Sequence, residues 1–199
     1  MVIKIDAQQF DIKNLTVKDG LPSNIIYDIK QDEIGYLWIA TEKGLVKFDG
    51  DDFIVIHQQK STALFIDGQT IYASLKNGLF VKNKSKEQFF NSKKILSFIK
   101  NDNEVLMGTI EGLYSFKNAK LLPIKINTAL DSSSINDIVS IEKGFLISSS
   151  NGLHKVNKKL KSSILLKIKE DFFLTIEKYY NGYLTTTRDG EILHIHNDS

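Results

Sequence analysis

One short unit recurs along this chain and limits what it can fold into. An apolar run leads into a polar turn with glycine, and a second apolar run follows. The copies are YLWIATEKGLVKF, TIYASLKNGLFVK, EVLMGTIEGLYSF, GFLISSSNGLHKV and GYLTTTRDGEILHI, with glycines at Gly44, Gly78, Gly112, Gly152 and Gly190. Periodicity of this length is the mark of a repeat architecture, in which no unit buries its apolar faces alone. Four copies place leucine directly after the glycine. The fifth reads Gly190-Glu191-Ile192-Leu193, which implies a local shift.

Each copy has a further apolar segment upstream: Asn24 to Ile29, Thr62 to Ile66, Ile95 to Ile99, Ile135 to Ile141 and Phe172 to Glu177. These runs are short and rich in Ile, Val, Phe, Tyr and Thr, the length and composition of strands. No long stretch with helical period stands out. Asn77-Gly78, Asn151-Gly152 and Asp189-Gly190 are pairs that suit tight hairpins, so the second and third strands of each copy should be joined that way. The runs LWIA and VLMG do not alternate between apolar and polar, as expected of strands covered on both faces.

A fourth strand lies between copies: Asp52 to His57, Gln88 to Asn91, Leu121 to Ile126 and Ile164 to Lys169. Four short strands in a unit of this size make one β-propeller blade. The chain therefore reads as an all-β β-propeller of about five four-stranded antiparallel blades. The expected repeats are 18–57, 58–91, 92–126, 127–169 and 170–199, within one domain spanning 1–199. The last repeat lacks its outer strand, and QFDIKNLTV (Gln9 to Val17) is unassigned. We expect residues 9–17 to complete the last blade and close the ring, with Phe10 to Val17 antiparallel to the strand around Ile192 to Ile195. The alternative is an open arc or a fragment of a larger propeller.

Composition excludes several classes. The net charge is +2 without a dense basic run, which argues against nucleic acid as a partner. No cysteine is present, so disulfides and thiolate metal sites are ruled out. No apolar run reaches the ~18 residues of a membrane span. His194-Ile195-His196 puts two imidazoles on one strand face, but no third ligand is spaced to join them, so no metal is expected. Asp49-Gly50-Asp51-Asp52 lacks the remainder of a calcium loop and reads as a turn between strands. Neither a nucleophile elbow nor a phosphate-binding loop occurs, and no cofactor is implied. Trp38, the single tryptophan, reads as packing between blades.

The first copy carries a sharper pattern. Asp19-Gly20-Leu21-Pro22-Ser23-Asn24, Leu37-Trp38-Ile39, Thr41, Gly44-Leu45 and Phe48-Asp49-Gly50 stand in the order found in the two-component regulator propeller repeat. Leu15 to Phe53 resembles that family, with Ala40 where the family usually has glycine. The later copies keep the spacing but lose the tryptophan and the Asp-Gly-Leu-Pro. The resemblance implies the extracytoplasmic sensor part of hybrid histidine kinases and related regulators, which commonly detect oligosaccharides. It implies a kinase or regulator module outside this chain and a periplasmic place for a trimmed sensor domain; a chain complete as given is instead expected in the cytoplasm.

In a propeller, the loops entering the inner strands and the hairpins between second and third strands share one face. The ligand-binding residues expected there are Asn24, Lys43, Ser61, Asn77, Ser134, Asn151, Glu170 and Arg188, with no catalytic residue among them. The expected function is recognition of a small polar ligand such as an oligosaccharide. A protein–protein interaction scaffold is the second reading, and a propeller lyase or lactonase the third.

Overall fold

The computed structural model describes residues 12–126, 128–161, 163–166 and 172–196. Their strands form five antiparallel sheets in strict chain order. The first holds β1 (Ile26–Gln31), β2 (Leu37–Thr41), β3 (Gly44–Phe48) and β4 (Phe53–His57). The second holds β5 (Ser61–Asp67), β6 (Thr70–Leu75), β7 (Gly78–Lys82) and β8 (Glu87–Asn91). The third holds β9 (Ile95–Asn101), β10 (Glu104–Thr109), β11 (Gly112–Lys117) and β12 (Lys120–Ile124). After α1, a single turn (Thr128–Asp131), the fourth holds β13 (Ile135–Ile141), β14 (Gly144–Ser149), β15 (Gly152–Asn157) and β16 (Ser163–Leu165). The fifth has β17 (Phe173–Tyr179), β18 (Gly182–Thr187) and β19 (Ile192–His196). Each sheet is one blade of the expected repeat.

Three of the hairpins between second and third strands share a lock. Thr41 Oγ1 donates to the Gly44 carbonyl at 2.9 Å, Thr109 Oγ1 to that of Gly112 at 2.9 Å, and Ser149 Oγ to that of Gly152 at 2.8 Å. The glycine of the second blade is needed for space. A Cβ on Gly78 would lie 2.1 Å from the Phe90 carbonyl oxygen of β8, so no larger residue lets the outer strand pair there.

Adjacent inner strands pack in succession: β1 on β5, β5 on β9, β9 on β13 and β13 on β17. Apolar clusters fill each junction. Trp38, Ala40 and Leu45 meet Leu64, Ile71, Leu75 and Phe80 between the first two blades, and Tyr72, Leu79 and Val81 meet Ile95, Val105, Met107 and Phe116 at the next. Polar groups near the inner strands join the blades too. Asp28 Oδ2 accepts from the Leu64 N–H at 2.8 Å, and Asp137 Oδ2 from that of Ile176 at 2.9 Å. Ser74 Oγ donates to the Ile95 carbonyl at 2.8 Å, and Ser148 Oγ to that of Leu174 at 3.1 Å. Satisfying these groups inside the junction avoids the penalty of a buried unpaired donor or acceptor.

No comparable packing joins β17 back to β1. The blades form an open arc, and ring closure is not seen among the described residues. Residues 12–16 form no strand and do not pair with β19. Thr16 instead caps a short 3-10 turn over Val17–Asp19, its hydroxyl accepting from Lys18 N while Asp19 Oδ2 accepts from Thr16 N at 2.8 Å. Leu15 and Leu21 pack on Ile39, Val46 and Phe48 of the first blade. The described part of the segment expected to finish the last blade thus lies over the first, where Leu15 and the following Leu21 cover an apolar face. Residues 9–11 of that expected strand lie outside the described residues, as do 167–169 of the expected outer strand of the fourth blade.

Candidate functional site

The loops entering the inner strands and the hairpin tips gather at one end of the arc. There the first three blades enclose a cleft of about 570 Å³ lined by Glu42, Gln58, Gln59, Lys60, Thr62, Leu75, Lys76 and Lys94. Its wall is organised by a polar triad. Lys60 Nζ donates to Tyr27 Oη at 2.7 Å and pairs with Glu42 at 2.6 Å, while Tyr27 Oη donates to the same carboxylate. The Lys60 ammonium also stands 4.5 Å from the Tyr27 ring centroid. Hydrogen bonds from Lys60 and then Tyr27 hold the Glu42 pKa below the usual carboxylate value, and the bonds to Glu42 and Tyr27 hold that of Lys60 above the usual ammonium value. Glu42 and Lys60 are therefore held as an ion pair at neutral pH.

The rest of the cleft is less committed. Lys93 beside it pairs with Glu111 at 2.8 Å, but Lys76 and Lys94 have no carboxylate partner among the described residues. Gln59 Oε1 and the Ser61 hydroxyl are buried with no hydrogen-bond partner among the described residues. Such groups in a native structure call for water or a ligand. The cleft presents ammonium, amide and hydroxyl groups and one tied carboxylate, a set that binds polar or acidic oxygens and contains no nucleophile–base pair.

The expected site residues divide on this geometry. Ser61 opens β5 beside the cleft but is fully buried, and Lys60 beside it faces the opening. Lys43 and Asn77 are exposed hairpin residues, and their chain neighbours Glu42 and Lys76 line the cleft in their place. Along extended chain, side chains alternate in direction, so a displacement of one residue exchanges the two sets. Asn24 is exposed, and its Oδ1 accepts from Val17 N at 3.1 Å, which fixes the N-terminal segment on the first blade. Asn151 is spent on structure: its Nδ2 donates to the Ala129 carbonyl at 2.7 Å, and its Oδ1 accepts from Ser149 Oγ at 2.6 Å. Ser134 donates to Asn136 Oδ1 at 2.8 Å within its own strand entrance. Arg188 is exposed, with its guanidinium 5.7 Å from the Phe172 ring. Ser134, Asn151 and Arg188 belong to the fourth and fifth blades and do not line the cleft. Glu170 lies outside the described residues.

Gln58, Gln59, Tyr27 and Lys94 were not among the expected site residues, although Lys94 stands in a loop entering an inner strand. The readings of Trp38 and of the Asp49 turn agree with the structure. Trp38 is buried, with Nε1 donating to Asp32 Oδ2 at 2.9 Å. Asp49 Oδ1 accepts from Asp51 N at 3.0 Å and Asp52 N at 2.8 Å, a turn between strands. His194 and His196 share the outer face of β18–β19, their ring centroids 4.0 Å apart. Among the described residues no three His, Cys, Asp or Glu side chains are grouped as metal ligands.

A five-blade arc with its cleft at the strand-entry end defines a β-propeller-type repeat protein. Within that class, residues 20–43, which include β1 and β2, match the two component regulator propeller family. A histidine kinase, P4, of Formosa agariphila is 45% identical over 51 residues, which are 26% of this chain and 4% of the kinase. Two solved structures from B. thetaiotaomicron, each described as the extracellular domain of a hybrid two component system, share the fold. One superposes with a TM-score of 0.78 at 20% identity over 94% of this chain and 30% of that one. The other has a TM-score of 0.72 at 17% identity over 96% of this chain and 28% of that one. The chain thus spans a small part of the kinase and under a third of either solved chain. No described helix is long and apolar enough to cross a membrane.

Proposed function

We propose that this chain is the ligand-recognising propeller of a two-component regulator and that it acts without catalysis. The observation that carries the reading is the cleft of Glu42, Lys60, Lys76 and Lys94, placed between blades of which the first includes the residues that match the regulator family. The ligand class is a small polar molecule, an oligosaccharide above all. Gln58, Gln59 and Thr62 offer groups for its hydroxyls, and Lys76 and Lys94 offer ammonium groups for an acidic substituent. Each neutral hydrogen bond to a well-hydrated sugar gains only about 0.5–1.5 kcal/mol net, so binding to this chain alone is modest. Signal output belongs to a kinase or regulator module outside the chain, since a ligand shifts an equilibrium only through unequal affinity for its two states. The reading places the domain in the periplasm, as for the extracellular domains that share its fold.

Calorimetry against a glycan panel tests this. Acidic oligosaccharides should bind more tightly than their neutral counterparts, and Lys76→Ala with Lys94→Ala should remove that preference. Asn24→Ala and Arg188→Ala, outside the cleft, should leave affinity unchanged. Silence across the panel, together with a defined protein recovered on the same face, would replace this reading with the interaction scaffold.

A further inference from the structure

Two neighbouring junctions treat the end of the inner strand differently. Asp67, Asn101 and Ile141 are equivalent: each closes an inner strand and stands opposite the first residue of the second strand, Thr70, Glu104 and Gly144. One residue earlier stand Ile66, Lys100 and Ser140. Where the second blade meets the third, the Asp67 carboxylate accepts from the ammonium of Lys100. Where the third meets the fourth, the matching pair is Asn101 and Ser140, and the serine brings no ammonium. A crevice of about 180 Å³ opens at that place, with Lys100, Asn101, Asp102, Ser140, Glu142 and Lys158 in its walls. It lies between two blades already packed on one another, at the end of the arc opposite the polar cleft.

Asn101 is 8% exposed, and its Oδ1 has no hydrogen-bond partner among the described residues. The other end of the amide is committed. Nδ2 donates to Glu104 Oε1 at 3.1 Å, and Glu104 Oε2 accepts from Ser115 Oγ. Asn101, Glu104 and Ser115 stand two residues along their strands from Ile99, Leu106 and Leu113, which pack in the junction with the fourth blade, so they share that face. Glu104 lies outside the crevice wall and takes the NH₂ end, which leaves the carbonyl oxygen to the crevice. A buried acceptor without a donor bears its full desolvation cost, so the occupant must bring an N–H or O–H. Charge selects among donors. Lys100 is held by Asp67, and Lys158 pairs with Asp102 at 3.1 Å. Glu142 has no ion-pair partner among the described residues. Its negative charge is left uncompensated, and a single monovalent cation balances it. A divalent ion would overshoot, and no three His, Cys, Asp or Glu side chains among the described residues are grouped to hold one.

We propose that this crevice binds the primary ammonium group of a small amine, which takes at Asn101 the place that Lys100 takes at Asp67. One N–H donates to Asn101 Oδ1, and the Glu142 carboxylate balances the charge. The neighbouring junction shows the chemistry inside the same molecule: an inner-strand acceptor is met there by an ammonium from the next blade. An ammonium is a compact charge with three donors, which suits a single oriented acceptor, whereas a guanidinium presents a planar fork that seeks a bidentate partner. The site is separate from the polar cleft and does not depend on what the cleft binds.

The side-chain amide resonances of Asn101, followed by heteronuclear NMR on the whole chain, read the site directly. Ethylammonium chloride should shift them saturably. Tetramethylammonium, which carries the charge without an N–H, should not. Glu142→Gln should weaken the ethylammonium response about fivefold, the upper end for an exposed ion pair. Ser140→Lys supplies an ammonium from the chain at the position Lys100 holds in the preceding junction, and should abolish the response. Both positions are exposed, and circular dichroism melts should show both variants folded. No saturable shift with ethylammonium would overturn the proposal and leave Asn101 to water. Equal shifts from tetramethylammonium would overturn it in favour of unspecific charge attraction, and stronger shifts from calcium chloride in favour of a metal site. A response that either variant leaves unchanged would also overturn it, since the ammonium would then sit elsewhere.

Discussion

Replacing Trp38 with alanine removes the largest side chain at the junction of the first two blades. The indole is 3% exposed and packs among Ala40, Leu45, Leu64, Ile71 and Phe80. Buried tryptophan-to-alanine changes cost about 3–5 kcal/mol through lost transfer energy and the cavity left behind. A second loss is the bond from Nε1 to Asp32 Oδ2 at 2.9 Å. The turn itself should survive, because Asp32 Oδ1 still accepts from the backbone of Ile34, Gly35 and Tyr36. Trp38→Phe separates the terms: it keeps most of the apolar contact and loses the hydrogen bond, for a cost of about 1–3 kcal/mol. With a urea m-value of about 2–3 kcal/mol/M, the alanine variant should unfold roughly 1–2 M earlier. Trp38 is the single tryptophan, so unfolding is followed by far-ultraviolet circular dichroism. The wild type should also show the blue-shifted emission of a buried indole. A loss below about 1 kcal/mol for Trp38→Ala would refute the reasoning, because the indole would then not hold the junction.

Two further outcomes follow from the junctions. Gly108 lies where β10 meets the fourth blade, and a Cβ there would come within 2.6 Å of the Ile135 carbonyl oxygen and 2.4 Å of Ser97 Oγ. Gly108→Ala should cost about 1–3 kcal/mol by overpacking, read in the same urea titration, and an unchanged midpoint would contradict so close an approach. His154 is buried, its Nδ1 has no hydrogen-bond partner among the described residues, and burial holds its pKa below the ordinary imidazole value. In the unfolded chain it takes its proton near pH ~6.5, before the folded chain does, so its contribution is complete above that pH and is lost as pH falls toward the lower folded value. The melting temperature should drop between pH 7.5 and 5.5, and His154→Gln should flatten the drop; a variant that keeps the full drop would assign it to other groups.

The blade repeat was legible because it rests on local chemistry. Gly-Leu after a Thr or Ser fixes a hairpin through one hydroxyl, and Leu45, Leu79, Leu113 and Leu153 mark the packing column in plain letters. The candidate cleft lies within one residue of three of the expected ligand-binding positions. Glu42, Lys60 and Lys76 line the cleft where Lys43, Ser61 and Asn77 were expected, since the direction of a turn residue depends on where the strand pleat begins. Asn24 and Asn151 look like ligand groups in sequence, and in the structure Asn24 Oδ1 accepts from Val17 N while the Asn151 amide bonds Ala129 and Ser149. The expected closure failed to appear for a related reason. QFDIKNLTV has a strand's composition, yet Thr16 and Asp19 form the spacing of a helix cap, and that local signal together with Leu15 and Leu21 directs the described part of the segment to the first blade.

The open arc is tested most directly by a distance between its two ends. The chain has no cysteine, so paired spin labels can be placed at will. Ile34 and Asn181 stand in equivalent turns between first and second strands of the first and fifth blades, and Asp102 and Lys143 in those of the adjacent third and fourth. Double electron–electron resonance on each doubly labelled chain, diluted into excess unlabelled protein, reports distances within one molecule. The account predicts a clearly longer distance for Ile34–Asn181 than for Asp102–Lys143. Equal distances would mean that the fifth blade rests on the first, and the arc would be a closed ring.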